Sequence, residues 1–129
     1  MKNKIFLGGI VLAVSSFLVM SCPALALGET SYTNDIRPII HDYCLSCHQP
    51  GGKGYEKSGL DMRTYESLMK GTNFGAVIKP GDSLASTLIQ LVEGRAHPSL
   101  RMPFGMEGGL AKDKIQLLKN WIQEGAKNN

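Results

Sequence analysis

The chain has 129 residues, a formal net charge of +3, 43% apolar and 19% charged residues, and three cysteines. That is room for one ordinary domain, and the composition is globular rather than disordered. The small charge, with no basic run interleaved with aromatics, excludes a nucleic-acid binder, and three cysteines exclude a disulfide-dense scaffold.

Lys2 and Lys4 precede an apolar run from Ile5 to Met20, and Ala24-Leu25-Ala26 is a small-x-small cleavage signal. This is the layout of a secretory signal peptide over residues 1–26. The apolar run is 16 residues long with two glycines and two serines, short for a membrane span of about 20. A retained anchor is therefore the weaker reading. Val19-Met20-Ser21-Cys22 also resembles a poor lipoprotein signal in which Cys22 is acylated. Export follows on all three readings. Cleavage after Ala26 removes two lysines and no acid, and leaves Cys44 and Cys47 as the remaining cysteines. A mature domain of that size buries a modest core and is often stapled by a metal, a cofactor or a crosslink.

Residues 27–33 read as a short polar leader and 34–127 as the folded domain. A helix is expected from Thr33 or Asn34 to about Cys44, with Pro38 near its start and Ile36, Ile39, Ile40 and Tyr43 on one face. Gln49 to Gly59 reads as a loop, because Pro50, Gly51, Gly52 and Gly54 break regular structure. A short helix is expected over Thr64 to Met69, stopped by Gly71. Lys79-Pro80-Gly81 is a turn, after which Asp82 or Ser83 caps a helix to Val92, with Leu84, Leu88, Leu91 and Val92 apolar. Gly94 to Gly109 is irregular. A last helix runs from about Lys112 to Gly125, with Ile115, Leu118, Trp121 and Ile122 on one face. No stretch alternates over strand length, so the domain is expected to be all-α, with about four helices and long loops.

Cys44-Leu45-Ser46-Cys47-His48 is C-x-x-C-H, the attachment signature for c-type haem. Two thiols three positions apart at a helix end can each add to a vinyl group of one porphyrin, and the adjacent His48 then supplies the proximal iron ligand. A zinc site needs a fourth ligand, for which only His41 or His97 is available, and no second C-x-x-C exists. A thioredoxin-like dithiol needs a preceding strand and a βαβ frame, which are missing. For the second axial ligand Met102 ranks first, because it sits between Arg101 and Pro103 in a loop pinned by prolines. Met106 and His97 are the competing donors. Met69 reads as core and Met62 as pocket lining.

Three blocks in order resemble small class I c-type cytochromes, particularly the planctomycete-type cytochrome c domain. These are Asp35-Ile36-Arg37-Pro38-Ile39-Ile40 running into the C-x-x-C-H; Lys79-Pro80-Gly81-Asp82 followed by Ser86-Thr87-Leu88-Ile89; and Arg101-Met102-Pro103 followed by Trp121-Ile122-Gln123-Glu124-Gly125-Ala126. The resemblance implies a small cytochrome c-like fold around one covalently attached haem, Met102 as the axial methionine, and the tryptophan helix packed on the first helix beside the haem. Two residues depart from the family pattern: Phe104 where a second proline is common, and Ala111 where a Ser or Thr cap is favoured.

A six-coordinate iron held by His48 and Met102 changes oxidation state without a free position for substrate, and a soft thioether favours the ferrous state. Ile39, Ile40, Leu60, Leu88, Leu118 and Trp121 are expected to bury the porphyrin. The expected function is a periplasmic electron carrier, not an enzyme, serving a redox protein donor and acceptor in the periplasm or at the membrane surface. Contact with the membrane itself requires a retained N-terminal segment or an acylated Cys22. The alternative is a haem-based ligand sensor or peroxidase-like protein with a displaceable sixth ligand. Asp35 and Asp42 read as solvated, Lys53 and Lys57 as loop charges, and Arg101 as either a propionate partner or an ordinary surface arginine.

Overall fold

The structure, a computed structural model, describes residues 28–129. The expected signal peptide over residues 1–26, with Cys22, lies outside the described residues. Ser31 starts the first helix: its side-chain oxygen accepts the Asn34 N–H at 3.2 Å, and the Asp35 carboxylate accepts the Ser31 N–H at 2.8 Å. Asp35 is therefore a capping group rather than a free surface charge. The chain makes one wide π turn over Tyr32–Ile36 and then tightens into α1, Arg37–Tyr43. Pro38 accounts for the wide turn, since it has no N–H for the Asn34 carbonyl and its ring crowds that carbonyl in a tight helix. The Arg37 N–H reaches back to the Tyr32 carbonyl instead. The helical run thus begins earlier than Thr33, and Pro38 falls at the second position of α1.

Residues 28–33 are more than a polar leader. Tyr32 is 5% exposed and Thr30 7%. The Tyr32 N–H donates to Asn129 Oδ1 at 2.8 Å, the Thr33 N–H to the Asn129 carbonyl at 2.9 Å, and the Thr30 N–H to Glu124 Oε2 at 2.7 Å. An ion pair between Lys127 and Glu29 adds to this clamp. The Tyr32 ring lies edge-on to Tyr65, with centroids 5.2 Å apart, and 5.5 Å from Trp121.

A second helix, α2 (Lys53–Ser58), occupies the segment expected to be a loop. The third, α3 (Tyr65–Lys70), starts and stops as expected: Thr64 and Ser67 form a reciprocal capping box, and Gly71 ends it at φ 82°. By contrast α4 covers only Thr87–Val92. Asp82 Oδ1 accepts the Ala85 N–H at 2.9 Å, while Ser86 Oγ accepts the Lys79 N–H at 2.9 Å and donates to the Asp82 carbonyl at 2.8 Å. These bonds hold residues 82–86 in turns, so the helix waits for Ser86. Leu84, assigned by spacing to the apolar face, is consequently 65% exposed.

The last helix, α5 (Lys112–Gln123), buries Leu118, Trp121 and Ile122, and Ala111 provides no side-chain cap. The Trp121 indole N–H donates to the Lys127 carbonyl at 2.8 Å, so the ring is buried without an unpaired donor. Ile39, Ile40, Leu60, Leu88, Leu118 and Trp121 all lie in one core. Among the described residues the fold is all-α with five α-helices, and the sheet-like contact is a lone bridge between Thr72 and Gly75. No helix of the described residues is long and apolar enough to cross a membrane.

Candidate haem site

Cys44 ends α1, its N–H still bonded to the Ile40 carbonyl at 3.0 Å. The next turn closes on Cys44 itself, whose carbonyl accepts the N–H groups of Cys47 at 3.2 Å and His48 at 3.0 Å. Both thiols and the imidazole are thus carried on one continuous turn at a helix end. Cys44 is half-buried, Cys47 is exposed, and both are free thiols. Burial, with Cys47 close by, pushes the Cys44 thiol up to about 11, so it stays neutral around pH 7.

His48 is half-buried, and its Nδ1 is sealed from solvent without a hydrogen-bond partner. Burial pushes the imidazole below its ordinary value, and the Leu60 main chain offsets part of this without completing a hydrogen bond. The His48 carbonyl accepts the Met62 N–H at 2.8 Å. Behind the ring lies α2, whose Tyr55 N–H bonds the Cys47 carbonyl at 2.9 Å. Two glycines make that approach possible. A Cβ at Gly52 would meet the Cys47 carbonyl oxygen at 2.4 Å, and one at Gly54 would meet His48 Cε1 at 2.7 Å. The glycines that read as loop residues serve here to admit a helix. Neither α2 nor its packing on His48 was expected from the sequence, although two glycines so soon after C-x-x-C-H were the available signal.

Met102 is half-buried, packed on the core, with its N–H on the Leu91 carbonyl at 3.1 Å. Arg101 pins the same loop. Its guanidinium donates to the Gly108 carbonyl at 3.2 Å, and a Cβ at Gly109 would meet its Nη2 at 2.8 Å. In the described structure this arginine is a loop clamp, which neither of the two sequence readings anticipated. The competing donors sit differently. His97 is exposed, with Nδ1 2.8 Å from Ser99 Oγ, and Met106 is 40% exposed. Met62 is 5% exposed and Met69 packs against the core. His41 is exposed beside Asp42 at 2.9 Å.

These residues fit a covalently held haem: two free thiols and an adjacent half-buried imidazole share one turn, and the sealed nitrogen of that ring is Nδ1. Among the described residues no three His, Cys, Asp or Glu side chains converge to hold a bare metal ion, so the zinc reading has no ligand set here. No curated protein and no solved structure matches the chain. A family match does exist, to the family described as Planctomycete cytochrome C, over residues 44–103. The matched stretch opens on Cys44 and closes just past Met102, and the family implies covalent haem c. Residues 44–103 are therefore identified as a planctomycete cytochrome c domain, which implies a haem-based electron carrier.

Proposed function

We propose that the protein is an exported one-electron carrier. Cys44 and Cys47 hold haem c through thioether bonds, His48 is the proximal iron ligand through Nε2, and Met102 is the distal ligand through its sulfur. The bound haem supplies a reversible one-electron iron couple. The chain supplies the rest: α1 and its last turn position the two thiols and His48, α2 backs the ring, and the Leu91 and Gly108 carbonyls anchor the loop that carries Met102. The observation that carries the reading is the single turn presenting Cys44, Cys47 and a half-buried His48 whose sealed nitrogen is Nδ1. The exposure of Met106 and His97 against the half-buried Met102 supports Met102 as the distal ligand. Lys2, Lys4, the apolar run and Ala24-Leu25-Ala26 support export to the periplasm, where thiols are joined to haem. A redox protein donor and a redox protein acceptor complete the proposal.

Optical spectroscopy of the matured holoprotein tests the ligand set. The ferric wild type is expected to show a weak far-red thioether band that Met102→Ala abolishes, and the ferrous wild type is expected not to bind carbon monoxide at neutral pH. Absence of the band in the wild type, or its survival in the variant, refutes Met102. Ready carbon monoxide binding by the wild type transfers the weight to a ligand sensor or peroxidase-like protein.

A further inference from the structure

Gly54 lies inside α2 without a left-handed backbone. A glycine there costs a helix about 1 kcal/mol relative to alanine, and no unusual φ requires it. Contact does. A Cβ at position 54 would lie 2.7 Å from His48 Cε1, 2.9 Å from His48 Nδ1 and 3.0 Å from the Cys47 carbonyl oxygen. The two shortest approaches are to the imidazole ring. The main chain has little room to yield, because the Cys47 carbonyl is held by the Tyr55 N–H at 2.9 Å and the His48 carbonyl by the Met62 N–H at 2.8 Å. The ring is the part able to turn. Its Nδ1 completes no hydrogen bond, although the Leu60 main chain approaches the imidazole, so packing contributes to holding its plane.

From this geometry we infer that Gly54 is a positioning residue, whose bare Cα sets the plane of the His48 imidazole against the haem; the inference rests on His48 being the proximal ligand. Groups behind a metal-bound histidine set its orientation and so tune the metal. The plane of an axial imidazole governs its overlap with the iron d orbitals, and hence the pattern of unpaired spin on the porphyrin in the ferric state.

Proton spectra of the matured ferric holoprotein test it, with Gly54→Ala set beside Lys57→Gly, a change at an exposed position of the same helix. Gly54→Ala is expected to keep the far-red band while redistributing the haem methyl shifts. Lys57→Gly is expected to lower stability and leave those shifts as in the wild type. Unchanged methyl shifts in Gly54→Ala overturn the inference, as does an equal redistribution in Lys57→Gly. A second measurement needs no variant: the ferrous wild type is expected to show a cross-relaxation peak between the His48 Hε1 proton and a Gly54 Hα, and its absence overturns the contact. If the His48 ring protons of the ferrous wild type lack the strong upfield shift of an axial ligand, the ligand assignment has failed first, and the inference fails with it.

Discussion

Met62 and His48 are joined through their main chains, the Met62 N–H donating to the His48 carbonyl at 2.8 Å, and the Met62 side chain is 5% exposed. Met62 therefore ties the His48 main chain to the core. Met62→Ala is expected to cost about 2–5 kcal/mol of stability, the range for truncating a buried methionine. It is also expected to leave the far-red band in place, unlike Met102→Ala. Chemical denaturation and optical spectra of the ferric holoprotein check both halves, and loss of the band in Met62→Ala would show that the wrong methionine has been assigned.

Arg101 spans the loop that carries Met102, reaching from beside Gly94 to the Gly108 carbonyl. Removing one hydrogen bond of this kind costs on the order of 1 kcal/mol. Opening of the loop then becomes easier by a similar amount. Arg101→Ala is expected to bind added imidazole at the ferric iron about fivefold more tightly than the wild type, read by optical titration. Equal affinities would mean that the clamp does not hold Met102 in place.

Glu93 joins α4 to α5, accepting from Lys119 Nζ at 2.9 Å and pairing also with Arg95. The Lys119 hydrogen bond, followed by that from Arg95, holds the Glu93 carboxyl below its ordinary value of 4.5 against an opposing effect of burial. With the folded value depressed, the stabilisation is present above the unfolded value and is lost as pH falls through the folded one. Both side chains remain partly exposed, so the effect is on the order of 1 kcal/mol or less. Glu93→Gln is expected to lower stability at pH 7 by that amount and to converge with the wild type as pH falls through the depressed Glu93 value. Denaturation midpoints across this range decide it, and a constant gap at all pH values would refute the pairing as its source.

The parts of the site legible in the sequence were those that chemistry constrains by spacing. Cys44, Cys47 and His48 stand out because two thiols and an imidazole must sit together, whereas Met102 is singled out as the proposed ligand because its loop is pinned. Amphipathic spacing likewise located α5, whose Leu118, Trp121 and Ile122 are buried, and the Gly71 stop located the end of α3. The misreadings share a cause, which is that local turn chemistry and tertiary contact overrode composition. Glycines at 52 and 54 looked like breakers, yet they are small because a helix presses on Cys47 and His48. Asp82 or Ser83 looked like the cap of a helix, yet the side chains of Asp82 and Ser86 hold the backbone in turns until Thr87. Tyr32 looked like part of a polar leader, since nothing nearby in sequence reveals that its partners are Tyr65, Trp121 and Asn129. Contacts of that separation leave no periodic trace.

Segments at the edge of a domain ordinarily fray, but here two of them, far apart in sequence, fasten each other. The Tyr32 amide is held by Asn129, 97 positions away in sequence, and the neighbouring Thr33 amide by the Asn129 carbonyl. Their exchange with deuterium is therefore governed by release of the carboxy-terminal turn rather than by fraying of the first helix. Removing the Asn129 side chain is expected to speed exchange at Tyr32, so a change at one edge of the folded domain is read out at the other.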